Sequence, residues 1–126
     1  MTADELHDLF CEAAETDRWL PRATRRAALT YWPDTQASRW GDYANVKGVV
    51  RLTPSSTQID SYSRAIDLGL LLGEEERGLV WAVAFSARGR KRGPAWSKLA
   101  KRFRCDRRTV KSRYLVALVE LATRLR

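Results

Sequence analysis

With 126 residues and a net charge of +8, the chain suits one domain, or one with a small annex, and can bury about two-thirds of its unfolded surface. No apolar run reaches the length of a membrane span, and Asp4, Glu5 and Asp8 stand where a signal peptide would be basic. Its two cysteines, Cys11 and Cys105, match no metal-ligand spacing and read as buried thiols of a reducing cytoplasm, and no cofactor and no metal is expected.

Thr2 and Glu5 form a capping box ahead of Leu6, Leu9, Phe10, Ala13 and Ala14, which predicts an amphipathic helix ending before Pro21. Arg22 to Tyr31 reads as a short second helix. Trp32-Pro33 is a break, because proline biases the preceding residue away from helix, and Pro33 opens a helical turn through Trp40. Between Gly41 and Leu52, the residues Val46, Val49, Val50 and Leu52 suggest an extended segment or a short strand. Thr53-Pro54-Ser55-Ser56 is a turn, and Ser55 with Gln58 repeats the capping box. Ile59, Tyr62, Ile66 and Leu70 then mark the expected buried face of a helix that ends near Gly73. Glu74, Glu75 and Glu76 favour a new helix start, where the positive end of the dipole stabilises acids. That helix carries Leu79, Val80, Val83 and Ala84. A basic linker runs from Ala87 to Gly93, with Pro94 expected in the first turn of the next helix. The last three helices are predicted at 74–87, 94–103 and 107–125. The expected fold is all-α, with a C-terminal tri-helical helix-turn-helix core in residues 55–126 packed with an N-terminal helical segment in residues 1–54, to which the sequence assigns no role.

The segment from Trp96 to Tyr114 carries the chemistry. Trp96, Leu99, Ala100 and Phe103 line one helical face; Asp106 supplies a side-chain oxygen to cap a second helix at Arg107, and Val110 and Tyr114 extend the apolar stripe. Ala100 is small where the helices would cross, and Cys105 can tuck beneath the turn. Arg104 stands where such a turn favours glycine in the left-handed conformation. Arg107, Arg108, Thr109, Lys111, Ser112 and Arg113 point outward, and these side chains can reach base edges and phosphates from a major-groove helix. Arg108 and Ser112, opposite the core stripe, are the candidates for base contact. Lys98, Lys101, Arg102 and Arg104 are candidates for phosphates, as are Arg90, Lys91 and Arg92 in the linker.

From Arg88 to Arg113, twelve Lys or Arg residues meet one acid, Asp106; this local +11 leaves the rest of the chain at −3. A polyanion partner follows from such a field. A membrane surface fits less well, because the charges sit on a compact motif and not opposite a wide apolar face. The bland alternative is a solvated charged face. In the final helix Val110, Tyr114, Ala117, Leu121 and Leu125 form the expected core stripe. Leu115 and Val119 continue the line of Arg108 and Ser112, so they are expected to be covered by the N-terminal segment or by a second subunit.

Gly73-Glu74-Glu75-Glu76-Arg77, the basic linker, Trp96 to Phe103 and Arg107 to Arg113 together resemble region four of bacterial sigma factors and related Trp-repressor-like helix-turn-helix modules. Over most of its length the chain also resembles a small uncharacterised family of proteobacterial and prophage-encoded proteins. That likeness rests on Tyr31-Trp32-Pro33, on Val50-Arg51-Leu52 followed by Pro54-Ser55, and on the terminal helix-turn-helix, in this order. The resemblance implies a DNA-binding transcriptional regulator of phage derivation, with double-stranded DNA as its partner. Two rivals stand beside it: a small-terminase-like DNA-packaging factor that forms a homo-oligomer, and a protein that docks on RNA polymerase. Catalysis is not expected. His7, the only histidine, is read as a surface residue near Asp8 and Glu12, and no Ser-His-Asp set or phosphate loop occurs. Trp81 and Trp96 are expected in the core, and Trp32 and Trp40 in an exposed binding surface.

Overall fold

Side-chain caps open the first two helices. The Thr2 N–H donates to Glu5 Oε2 at 2.7 Å and the Glu5 N–H to Thr2 Oγ1 at 3.3 Å. Ser55 and Gln58 make the same exchange at 2.9 and 3.3 Å. The computed structural model describes residues 1–21 and 53–126. Five helices lie in them: α1 (Ala3–Trp19), α2 (Ser56–Leu70), α3 (Glu74–Ala87), α4 (Trp96–Phe103) and α5 (Arg107–Arg124). The described residues contain no strand, and the fold is all-α. The elements predicted between Arg22 and Leu52, with Trp32 and Trp40, lie outside the described residues.

Residues 1–19 and 54–126 pack as one unit. Its core is built around α1, which meets α2, α3 and α5. Leu6, Phe10, Ala13 and Ala14 of α1 are buried among Ala65, Val80, Val83, Leu118 and Leu121. Phe10 meets the Trp81 ring edge-on at 5.3 Å. A Cβ at Gly69 would stand 3.2 Å from Trp81 Nε1, so a larger residue there requires the indole to give way by a few tenths of an ångström. Among the described residues no helix is long and apolar enough to cross a membrane.

One expected face is corrected. In α2 the buried residues are Ala65, Leu68 and Gly69, while Ile59, Ile66 and Leu70 are exposed. Small residues allow close approach to the neighbouring helices, so the bulkier side of α2 turns outward. Tyr62 alone of the expected face packs inward, and its hydroxyl donates to Asp17 Oδ1 at 3.0 Å. In α5 Val110, Tyr114, Ala117 and Leu121 are buried as expected, joined by Leu118 and Ala122, and Leu125 is half-buried. Leu115, Val116 and Val119 are exposed. They are not covered by α1, which bonds to α5 from the opposite side through His7 and Tyr114.

Candidate nucleic-acid interface

The connection into α4 is fixed at its end by Ser86, whose hydroxyl donates to Val83 O and accepts the Ala95 N–H at 3.2 Å. Ala95 is therefore the residue that caps α4, and Pro94 stands just before the helix, outside the first turn where it was expected. The helix closes on a Schellman motif: the Cys105 N–H returns to Ala100 O at 3.1 Å and the Arg104 N–H to Lys101 O at 3.4 Å. Arg104 takes the left-handed conformation this requires, at φ 53° and ψ 39°, and is the only non-glycine residue with positive φ among those described. Cys105 is half-buried beneath the turn; its thiol donates to Phe103 O and receives Arg113 Nη1 at 3.7 Å. Asp106 has the backbone of an N-cap, but its side chain accepts no bond from α5, contrary to expectation. Its carbonyl receives the Val110 N–H as the first bond of the helix, and its charge still lies at the favourable end of the helix dipole.

The inner face of α5 is locked. Tyr114 is 3% exposed, with the Trp96 ring against it at 5.8 Å. His7 Nδ1 lies 2.6 Å from the Tyr114 hydroxyl, and the imidazole tautomer decides which of the two donates. His7 is thus half-buried and not the surface residue expected; Cys11 Sγ sits 3.7 Å from its Nε2. Burial pushes the Tyr114 phenol far above its usual range, and Cys11 and Asp8 add to the effect. Burial, with Asp8, also raises the Cys11 thiol. Nothing in the local sequence pairs residues 7 and 114, because the contact exists only once α1 has folded back on α5.

On the outside, Arg107, Arg108, Thr109, Lys111, Ser112 and Arg113 are all exposed on α5. At 100° per residue, Arg108 and Ser112 lie opposite the buried Val110 and Tyr114. Lys98, Lys101 and Arg102 are exposed on α4, Arg104 on the turn, and Arg90, Lys91 and Arg92 on the preceding connection. The ion pair among the described residues is Glu15 with Arg18 in α1, so no described acid is ion-paired with these cations.

One part of the surface escapes sequence reasoning. Glu74, Glu75 and Glu76 line an open groove of about 720 Å³ that also takes in Ser112, Arg113 and Val116, with Leu79, Phe103 and Val110 along it. These acids cap α3 in sequence, yet in space they wall the interface on its Arg113 flank. Arg107 and Lys111 project on the other flank of α5. The outer side of α5 is therefore more positive along Arg107 and Lys111 than beside Ser112 and Arg113.

A family model described as Domain of unknown function (DUF6362) matches residues 18–121. The chain belongs to this family. The match contains every residue of the basic surface and leaves out most of α1. No curated protein and no solved structure matches the chain. Among the described residues of this DUF6362 member, no group of side chains is arranged to hold a metal ion.

Proposed function

We propose that this protein is a cytoplasmic, DNA-binding regulator of transcription that reads duplex DNA with the first turns of α5 in the major groove. The observation that carries this reading is the contrast across α5. Val110 and Tyr114 are buried, while Arg107, Arg108, Thr109, Lys111, Ser112 and Arg113 are exposed with no described acid paired to them. A rigid helix with a locked inner face presents its outer side chains in fixed positions, as base-edge recognition demands. Arg108 and Ser112 are assigned to bases, and Lys98, Lys101, Arg102 and Arg104 to phosphates, which position the helix without reading sequence. The free thiols Cys11 and Cys105 suit a reducing compartment.

Fluorescence anisotropy of the full chain on duplex DNA over a salt series tests the proposal. With ~5–6 phosphate contacts, the log–log slope of affinity against salt is expected to be about −5. Arg108→Ala is expected to narrow the gap between specific and random DNA by ~1–3 kcal/mol, if its contact is bidentate to a guanine. Lys101→Ala should weaken both DNAs alike. No duplex binding at low salt would remove the reading, and equal losses from both variants would move base recognition elsewhere.

A further inference from the structure

The connection from Ala87 to Ala95 holds Arg88, Arg90, Lys91 and Arg92 within five positions, without an acid. Such a sequence is expected to spread out in solvent, since its like charges repel. The structure instead folds it into two successive turns. Arg88, at φ −54° and ψ 124°, and Gly89, at φ 68°, occupy the middle of the first, closed by the Arg90 N–H on Ala87 O at 3.0 Å. These angles define a type II turn, whose third residue favours glycine. The second turn places Lys91 and Arg92 at its centre and closes with the Gly93 N–H on Arg90 O at 3.3 Å, Gly93 also being left-handed at φ 76°. Ser86 ties the far end to α3 through the Ala95 N–H, and the next residue, Trp96, packs against Tyr114 of α5. Neither glycine has an atom within 4 Å of where a Cβ would stand, so packing does not select them; the turns do.

The charges have little part in holding this fold. Arg88 rests over the Phe85 ring at 5.8 Å, while Arg90, Lys91 and Arg92 are exposed and meet no described acid. Holding them in tight turns concentrates positive potential, and an external anion would relieve it. We propose that this double turn is a phosphate-binding strap, which grips the duplex backbone beside the segment contacted by α5 and adds affinity without reading sequence. The inference rests on duplex DNA being the ligand of α5. It adds a second contact on a separate element, with phosphodiester oxygens as its ligands and ordered turns as its scaffold.

The test compares the full-length protein with the triple variant Arg90→Ala, Lys91→Ala, Arg92→Ala on a random-sequence duplex of ~30 base pairs, with thermal melts as a fold control. At ~0.9 per phosphate contact, losing three contacts makes the salt slope shallower by about 2.7. The ratio of specific to random affinity is expected to stay unchanged, because the strap reads no bases. Gly89→Ala keeps every charge but opposes the left-handed turn, and is expected to weaken duplex binding as well. Wild-type binding with an unchanged slope in the triple variant would overturn the strap and leave the α5 reading intact. If the wild-type chain fails to bind duplex at low salt, both fall. Full affinity in Gly89→Ala would overturn the role of the turns. Preferential binding of single-stranded RNA, lost in the triple variant, would overturn duplex DNA as the ligand.

Discussion

Arg104 occupies a left-handed conformation that costs an L-residue about 1–2 kcal/mol. Glycine avoids that cost, though it loses more backbone entropy on folding. Arg104→Gly is therefore expected to raise stability by about 1 kcal/mol, read as a higher Tm. If Arg104 binds phosphate, the same variant should lose duplex affinity, so stability and binding move in opposite directions. Equal or better binding would place Arg104 outside the interface. Tyr114 carries a second prediction. Its phenol titrates at a raised pKa in the folded chain, so above the unfolded value near 10 the unfolded state releases a proton that the folded state keeps. Stability is fully present below that pH and falls as pH rises beyond it. Tyr114→Phe removes this loss, at the cost of about 0.5–1.5 kcal/mol near neutrality for the hydrogen bond to His7. Urea melts at neutral and alkaline pH check it: a variant with the wild-type alkaline slope would show that another group dominates.

At the scale of the element, α5 is a helix of two sides whose phase can be measured. Leu118 is 1% exposed and Val119 54%, though they are neighbours in sequence and both apolar. Leu118→Asp buries an unpaired charge and is expected to cost more than about 3 kcal/mol, or to prevent folding. Val119→Asp should change stability by no more than ~0.5 kcal/mol, as a surface substitution does. Denaturant melts of the two variants decide the phase, and similar losses from both would mean that a further surface covers Val119. The α4–α5 turn belongs to this scale too. Its Schellman hydrogen bonds and the Arg113–Cys105 contact fix where α5 begins, and with it which side chains face outward.

At the scale of the whole molecule, α1 joins the parts. It packs on α2, α3 and α5, yet most of it precedes residues 18–121, the span matched by the family model. Phe10 is fully buried, and the single change Phe10→Ala is expected to cost about 3–5 kcal/mol. A domain of ordinary stability holds about 5–15 kcal/mol in all. A chain beginning at residue 18 loses Leu6, Phe10, Ala13 and Ala14 together, and should show no cooperative thermal transition by circular dichroism. A transition like that of the full chain would make α1 an accessory and not part of the core.

The helix starts at Ala3, Ser56 and Glu74, the turn at Arg104 and the charge of the Arg88–Arg113 segment were legible in the sequence. Each depends on residues close in the chain, through caps, dipoles, backbone preference or charge density. The buried stripe of α5 through Val110, Tyr114, Ala117 and Leu121 was legible for the same reason, since helical periodicity is local. Which side of α2 would be buried was not, because Ala65 and Gly69 outrank Ile59, Ile66 and Leu70 only when neighbouring helices demand close approach. The His7–Tyr114 bond and the acidic wall that Glu74, Glu75 and Glu76 raise beside Arg113 belong to the same class. They join residues far apart in the chain, and only packing that brings those segments together determines which of them meet.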